Sequence, residues 1–326
     1  MGETMKRVVT TLAAATLCAA PAIAQESAAS FPSKPVRAIT ALSAGGSSDI
    51  LMRVIGEQFA KKTGQSIVVE NRPGGAFNIA GQACGDSAPD GYTICLLPIE
   101  TLSYNQFMFK KLAYDPRSFE PITNAVFVTA GLIVNSSLGA KTLPELAAVS
   151  KAKPNTLSYM SPAVPLAYFV ETWKKESGAD MVKVPYRGGA DAANAILGGS
   201  TPVAFSGIAN FIPHIRSGAM NAITVDTEAR SPLLPEVPTL RELGYKGPLT
   251  QAYFGFVAPK GTPKPLIDKL RAIITEVASD KAFQEKNMLN LGLIPILDTP
   301  EQFGAYLKQN WVLAEKIVKE SGLEPQ

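Results

Sequence analysis

The chain has 326 residues, nearly half of them apolar, with 31 basic residues against 28 acidic ones and a single histidine. This balance offers no basic face for nucleic acid or a membrane surface, and one histidine excludes a His-rich metal site. The length exceeds what one hydrophobic core usually organises, so two lobes of roughly 100 to 200 residues each are expected.

The N-terminus reads as an export signal. Lys6 and Arg7 precede an apolar run from Val8 to Ala20, and Ala22-Ile23-Ala24 offers a small-residue cleavage pattern. Residues 1–24 are expected to be removed, leaving a mature chain that begins at Gln25; losing Lys6, Arg7 and Glu3 gives 29 basic and 27 acidic residues. No later stretch approaches the roughly 20 apolar residues of a membrane span. The mature protein is therefore expected to be soluble in the periplasm. Cys84 and Cys95 are its only cysteines. An oxidising compartment permits a bridge between them; the plainer reading is two buried thiols, one on a helix and one on a strand.

The mature sequence opens with a short strand, Val36 to Thr40, a small-residue turn from Leu42 to Ser48, and a helix whose apolar residues Ile50, Leu51, Val54, Ile55 and Phe59 recur at helical spacing up to Gly64. Ile67 to Val69 is the next strand. Asn71-Arg72-Pro73-Gly74-Gly75 breaks the chain, a short helix runs through Cys84, Pro89-Asp90-Gly91 turns, and Tyr92 to Leu97 forms a third strand. Strands alternating with helices predict an α/β fold with mainly parallel sheets covered on both faces.

The pattern then restarts. Gly131 to Asn135 is a strand, Thr142-Leu143-Pro144-Glu145 is a capping box that opens a helix, and Thr156 to Tyr159 is a strand. A helix around 167–175, a strand at 181–184, a helix around 190–197 and strands at 202–205 and 221–225 follow. Tyr253 to Val257 reads as a buried strand returning to the first unit. Thr262-Pro263 and Thr299-Pro300-Glu301-Gln302 then start two helices. The expected division is 25–125 plus 250–326 for one lobe and 126–249 for the other, with hinge strands near Thr123 to Val128 and Gln251 to Phe254.

Strand, then Ser43-Ala44-Gly45-Gly46-Ser47-Ser48, then helix is an arrangement that turns free backbone N–H groups and a helix N-terminus toward an anion; a plain glycine turn capped by Ser48 is the alternative. Asp49 favours the helix dipole and can order the loop. The Lys-Ser/Thr ending of a P-loop and a Gly-x-Gly-x-x-Gly motif are both absent, so carboxylate is the anion expected and no cofactor is implied. A second glycine turn, Pro185-Tyr186-Arg187-Gly188-Gly189, also follows a strand and leads into a helix. If the lobes face each other, both turns open on one cleft at the carboxyl ends of the sheets, where α/β sheets bind ligands. Glu100 and Thr101 follow the third strand at the cleft rim, where Glu100 accepts a ligand hydroxyl or amine or, on the reading favoured slightly, faces water. Ser206 closes the strand at 202–205. Asp86 and Asp90 read as solvated turn residues, and His214, in Pro213-His214-Ile215-Arg216, reads as a surface or helix residue with no nucleophile elbow nearby. No enzyme is indicated.

Together these motifs resemble a known family. Phe31-Pro32-Ser33-Lys34-Pro35-Val36-Arg37, Gly45-Gly46-Ser47-Ser48-Asp49, Val69-Glu70-Asn71-Arg72-Pro73-Gly74-Gly75, Asn78-Ile79, Ala88-Pro89-Asp90-Gly91-Tyr92-Thr93, Val184 to Gly189 and Leu234-Pro235-Glu236-Val237-Pro238-Thr239 are similar to those of the Bug (Bordetella uptake gene) receptors of tripartite tricarboxylate transporters. The similarity spans essentially the whole mature chain. It implies a two-lobed periplasmic binding protein of type II fold, a monomer that closes on a small organic acid and delivers it to membrane permease subunits. Family ligands include amino acids, di- and tricarboxylates, nicotinate and aromatic acids. By motif, Ser43, Ala44, Gly45, Gly46, Ser47 and Asp49 form one lobe's grip, and Tyr186, Arg187, Gly188 and Gly189 the other's.

Two departures bear on the ligand. The family's Pro-Phe-x-Pro before the first Gly-Gly is replaced by Thr40-Ala41-Leu42-Ser43-Ala44, and its Gly-Ser-rich turn after the strand at 157–159 by Ser161-Pro162-Ala163-Val164-Pro165. The second change removes donors and adds apolar surface. It suits an acid with an alkyl or aromatic body better than aspartate or citrate. A receptor that signals to a sensor kinase would share this fold and pocket, differing only in partner.

Overall fold

The computed structural model describes residues 29–162, 164–184, 189–247, 249, 251–321 and 325, with 189–191 by backbone alone. The expected signal segment and the candidate residues Ala163, Tyr186, Arg187 and Gly188 lie outside the described residues.

The first unit is β1 (Val36–Thr40), α1 (Ser47–Thr63), β2 (Ile67–Asn71), α2 (Asn78–Gly85), β3 (Thr93–Pro98), α3 (Asn105–Met108) and β4 (Glu120–Val128). The second is β5 (Ala130–Asn135), α4 (Leu143–Ala152), β6 (Ser158–Met160), α5 (Val164–Ser177), β7 (Val182–Lys183), α6 (Gly189–Leu197), β8 (Val203–Gly207), α7 (Ile212–Arg216) and β9 (Met220–Val225). The chain ends with β10 (Ala252–Ala258), α8 (Lys264–Ala278), α9 (Lys281–Asn287), β11 (Leu293–Pro295) and α10 (Pro300–Ser321).

The strands form a six-stranded sheet in the order β11-β4-β10-β3-β1-β2 and a five-stranded sheet in the order β7-β6-β8-β5-β9. Parallel pairing holds for β1 with β2 and β3, and for β6 with β7 and β8. The remaining pairs, all involving β4, β5, β10 or β11, are antiparallel, so both sheets are mixed where the sequence predicts mainly parallel ones. The crossing strands account for much of this. A strand that leaves one sheet at its carboxyl edge enters the other at the same edge, and so runs opposite to the strands that end there.

Helices cover both faces of each sheet. Leu51, Met52, Ile55 and Phe59 of α1 and Leu266, Leu270 and Ile274 of α8 fill one side of the first sheet; Phe303, Leu307 and Ile317 of α10 pack on the other. With both faces covered, β3 is buried along its whole length, which is why its sequence is a continuous apolar run. Cys84 of α2 and Cys95 of β3 meet in this second layer and form a disulfide across a Cα separation of 6.2 Å. Of the two readings open from the sequence, the bridge is the one realised, because α2 packs flat on β3 and brings the two Cβ atoms together.

Among the described residues, two regions join the sheets. Thr129, between β4 and β5, donates its N–H to Gly292 O at 2.8 Å and accepts from Ile208 N–H at 3.0 Å. Gly292 has φ of 66° and a Cβ there would sit 2.8 Å from Ile208, so only glycine fits this crossing. On the other side, Val164 and Tyr168 of α5 pack against the apolar layer under α10, and the Tyr168 hydroxyl donates to Glu320 at 3.2 Å.

Candidate functional site

The carboxyl ends of β1, β2 and β3 lie along one edge of the first sheet, and those of β6, β7, β8 and β9 along one edge of the second. The 128–130 link joins these two edges, so they form facing rims.

On the first rim, β1 turns through residues 41–46 into α1. The Thr40 and Ser48 hydroxyls, both buried, lie 2.6 Å apart and tie the strand's end to the helix's start. Gly46 N–H donates to Ser43 O at 3.0 Å, and Gly45 takes φ of 80°. Asp49, only 2 % exposed, accepts from Gly45 N–H (2.9 Å), Asn71 Nδ2 (3.0 Å) and Arg53 Nε (3.1 Å), while Asn71 also donates to Leu42 O at 2.8 Å. Burial acts to raise the Asp49 carboxyl, but hydrogen bonds from Arg53, Gly45 and Asn71 outweigh it and hold the group below its ordinary value. Asp49 thus orders the turn, as one of the two roles read from sequence, and its charge is met by Arg53 at 2.9 Å.

Gly46, the residue before α1, supplies no side-chain cap. The first bond along the helix runs from Ile50 N–H to Gly46 O, leaving the N–H groups of Ser47, Ser48 and Asp49 as the helix's orphan donors. Ser48 is not the cap the plain-turn alternative requires, because its hydroxyl is committed to Thr40. Three uncapped N–H groups, a positive dipole end and a neutralised acid are the makings of an anion site.

Beyond β3 the chain enters a single π-type turn, Glu100–Tyr104. Glu100 does not face water, the reading slightly favoured from sequence: it is 5 % exposed, and burial pushes its carboxyl up to about 7. Thr101 is fully buried against α2, its hydroxyl donating to Phe77 O at 3.3 Å, which places its side chain in the packing between elements. On the second rim, Ser161 is buried and Pro162 exposed just past β6, Gly189 opens α6, and Ser206 is buried on β8. His214 lies on α7 and is partly exposed, and Asp86 and Asp90 are exposed in turns.

Sequence reasoning missed three residues. Arg53 and Asn71 hold Asp49, and neither signals that role at a distance in the chain. Asp226 follows β9 directly and is 3 % exposed. Its Oδ1 accepts Ala130 N–H at 2.8 Å, its Oδ2 has no hydrogen-bond partner among the described residues, and burial pushes the group up to about 7. An acid directly past the predicted strand 221–225 is a signal close to the one that marked Glu100, three residues past the strand ending at Leu97.

Two helix-covered α/β sheets joined by crossing strands, with their carboxyl rims facing and an uncapped glycine turn on one of them, define a two-lobed solute-binding protein. The model of the tripartite tricarboxylate transporter family receptor matches residues 51–323, and the chain belongs to that family. Among solved structures, the periplasmic binding protein BugD is 30 % identical with a TM-score of 0.83, covering 91 % of this chain and 100 % of that one. A Rhodopseudomonas palustris protein with adipate is 25 % identical (TM-score 0.84, 91 % and 100 % covered). MatC of the same organism, with bound malate, is 27 % identical (TM-score 0.79, 88 % and 100 % covered). The family is one of solute-binding receptors. Among the described residues no helix is long and apolar enough to cross a membrane.

Proposed function

We propose that this protein captures a small carboxylated metabolite in the periplasm, after removal of residues 1–24, and delivers it as a monomer to the permease subunits of a tripartite transporter. The observation that carries the reading is the uncapped start of α1, where the N–H groups of Ser47, Ser48 and Asp49 converge beside a carboxylate already neutralised by Arg53. The adipate and malate of its relatives are both dicarboxylates, which supports the ligand class. The two lobes are residues 25–125 with 250–326 and residues 126–249, a division supported by the membership of the two sheets except at 126–128, which end β4 in the first sheet. The second grip is the set Ser161, Pro162, Ala163, Tyr186, Arg187, Gly188, Gly189 and Ser206. The sequence Pro162-Ala163-Val164 is apolar where relatives carry a Gly-Ser-rich turn, which favours a ligand with an alkyl or aromatic body over a short polar acid.

Titration calorimetry on the mature protein tests this with Gly46→Val. Gly46 has φ −72° and ψ 159°, which valine adopts readily, while its Cβ would lie 3.1 Å from both Leu42 Cβ and Ser43 O. Affinity for an acid is expected to fall at least about tenfold with folding intact; unchanged affinity removes the turn from the site.

A further inference from the structure

Asp226, directly after β9, holds the strand that crosses between the sheets. Its N–H donates to Ala130 O at 3.0 Å, and its Oδ1 accepts the Ala130 N–H at 2.8 Å. Ala130 is the residue after Thr129, whose N–H donates to Gly292 O and whose carbonyl accepts from Ile208. The acid thus clasps the chain at the first residue past the crossing. Its Oδ2 is buried and has no partner among the described residues. Buried carboxyl oxygens are ordinarily bonded, so this one calls for an explanation.

Asp226 lines a cavity of about 10 Å³, room for one water at most. Leu240, Tyr245 and Leu249 form one wall, on the segment by which the chain returns to the first sheet at β10; Pro165, Leu166 and Phe169 of α5 form another. Asp226 therefore stands between the two crossings, bonded to one and facing the other. The same first turns of α5 hold the rims together on one side, because Val164 and Tyr168 pack on the first unit's layer under α10. Parting the rims lifts α5 off that layer and draws the return segment, anchored in β10, away from the cavity, which admits water to the acid. No charge offsets an ionised Asp226 in the closed cavity: Phe205 of β8 and the α5 wall are apolar, β5 brings Ala130, and no lysine, arginine, histidine or second carboxylate acts on the group among the described residues. Tyr245 is the other titratable side chain in these walls, and burial pushes its phenol up to about 12. Burial likewise pushes the Asp226 carboxyl up to about 7, whereas hydration returns it towards its ordinary value.

We propose that Asp226 is a proton-operated clasp on the hinge: carrying a proton it holds the conformation in which the rims are together, and on losing that proton to solvent it favours the conformation in which they part. The two conformations bind the proton unequally, so protonation and closure favour one another by the same factor. Where an acid is held by both rims, which is the carboxylate reading above, its dissociation constant rises about tenfold between pH 6 and pH 8 as the fraction of molecules with rims together falls.

The experiment uses no ligand, so its outcome is independent of the carboxylate reading. Spin labels on Val68→Cys and Val182→Cys, exposed positions on the edge strands β2 and β7, report the distance between the two sheets by pulsed dipolar spectroscopy in the mature protein, whose own two cysteines are bridged. The distance population that dominates at pH 6 is expected to fall about tenfold by pH 8, replaced by a second one. With Asp226→Asn added, which keeps the acceptor for the Ala130 N–H and stays neutral, the pH 6 distribution is expected at both pH values. With Glu100→Gln added instead, which removes the buried acid of the other rim, the shift is expected to remain. One distribution at both pH values in the labelled parent, a shift that survives Asp226→Asn, or a shift abolished by Glu100→Gln overturns the inference and leaves the carboxylate reading untouched.

Discussion

At the scale of single residues, charge placement decides what the rims can do. Arg53→Met leaves Asp49 buried beside the orphan N–H groups without its counter-charge, so affinity for any carboxylate is expected to drop about tenfold, read by calorimetry. Asp226 has the opposite character. Its carboxyl titrates near 7 in the fold and near its ordinary value when unfolded, so between about pH 4 and pH 7 the unfolded chain releases a proton that the folded one keeps. Stability contributed by the neutral group is therefore full at low pH and lost as pH rises across that window. Asp226→Asn, which keeps the acceptor for Ala130 N–H, is expected to be more stable than wild type by a few kcal/mol at pH 7 and nearly equal to it at pH 4; a difference in melting temperature that does not change with pH contradicts this. Asp49 was legible as a loop-ordering residue because an acid in a helix's first turn has a known use. Its partners were not, since Asn71 reaches it from the next strand and only tertiary pairing of β1 with β2 brings it there.

Elements were the most legible level. The strand over 36–40 and the helix that ends at Gly64 in a left-handed cap follow from local pattern alone, as does the Thr142 capping box with its reciprocal Glu145 contact. Thr142→Ala is expected to cost about 1 kcal/mol, seen as a small loss in melting temperature. The short β11 and the seven-residue α9 left no periodic signal, and the antiparallel pairings depend on where the chain crosses, which periodicity does not carry. The disulfide stayed open in sequence for a related reason, because reach is a property of how α2 lies on β3. Its loop, closed over a separation of 11 residues, gives about 3 kcal/mol by chain entropy. Replacing both cysteines with alanine is expected to lower the denaturation midpoint accordingly; no change in midpoint shows that the unfolded chain is not constrained by the bridge.

For the whole molecule, the proposed function has the two sheets move as units about the 128–130 link and the return into β10. A ligand that touches both rims stabilises only the state in which they are close, whereas one held by a single rim shifts nothing. The α/β fold with two sheets was legible from the restart of the pattern; the contact of α5 with α10 was not, because nothing in either helix marks its partner. The most direct test of the receptor reading is a thermal shift on the mature protein with a panel of carboxylic acids, each beside its primary amide. A ligand that binds only the folded state raises the melting temperature in proportion to its saturation. The account expects a saturable rise from at least one acid and none from its amide. No shift from any acid, or an equal shift from acid and amide, contradicts it.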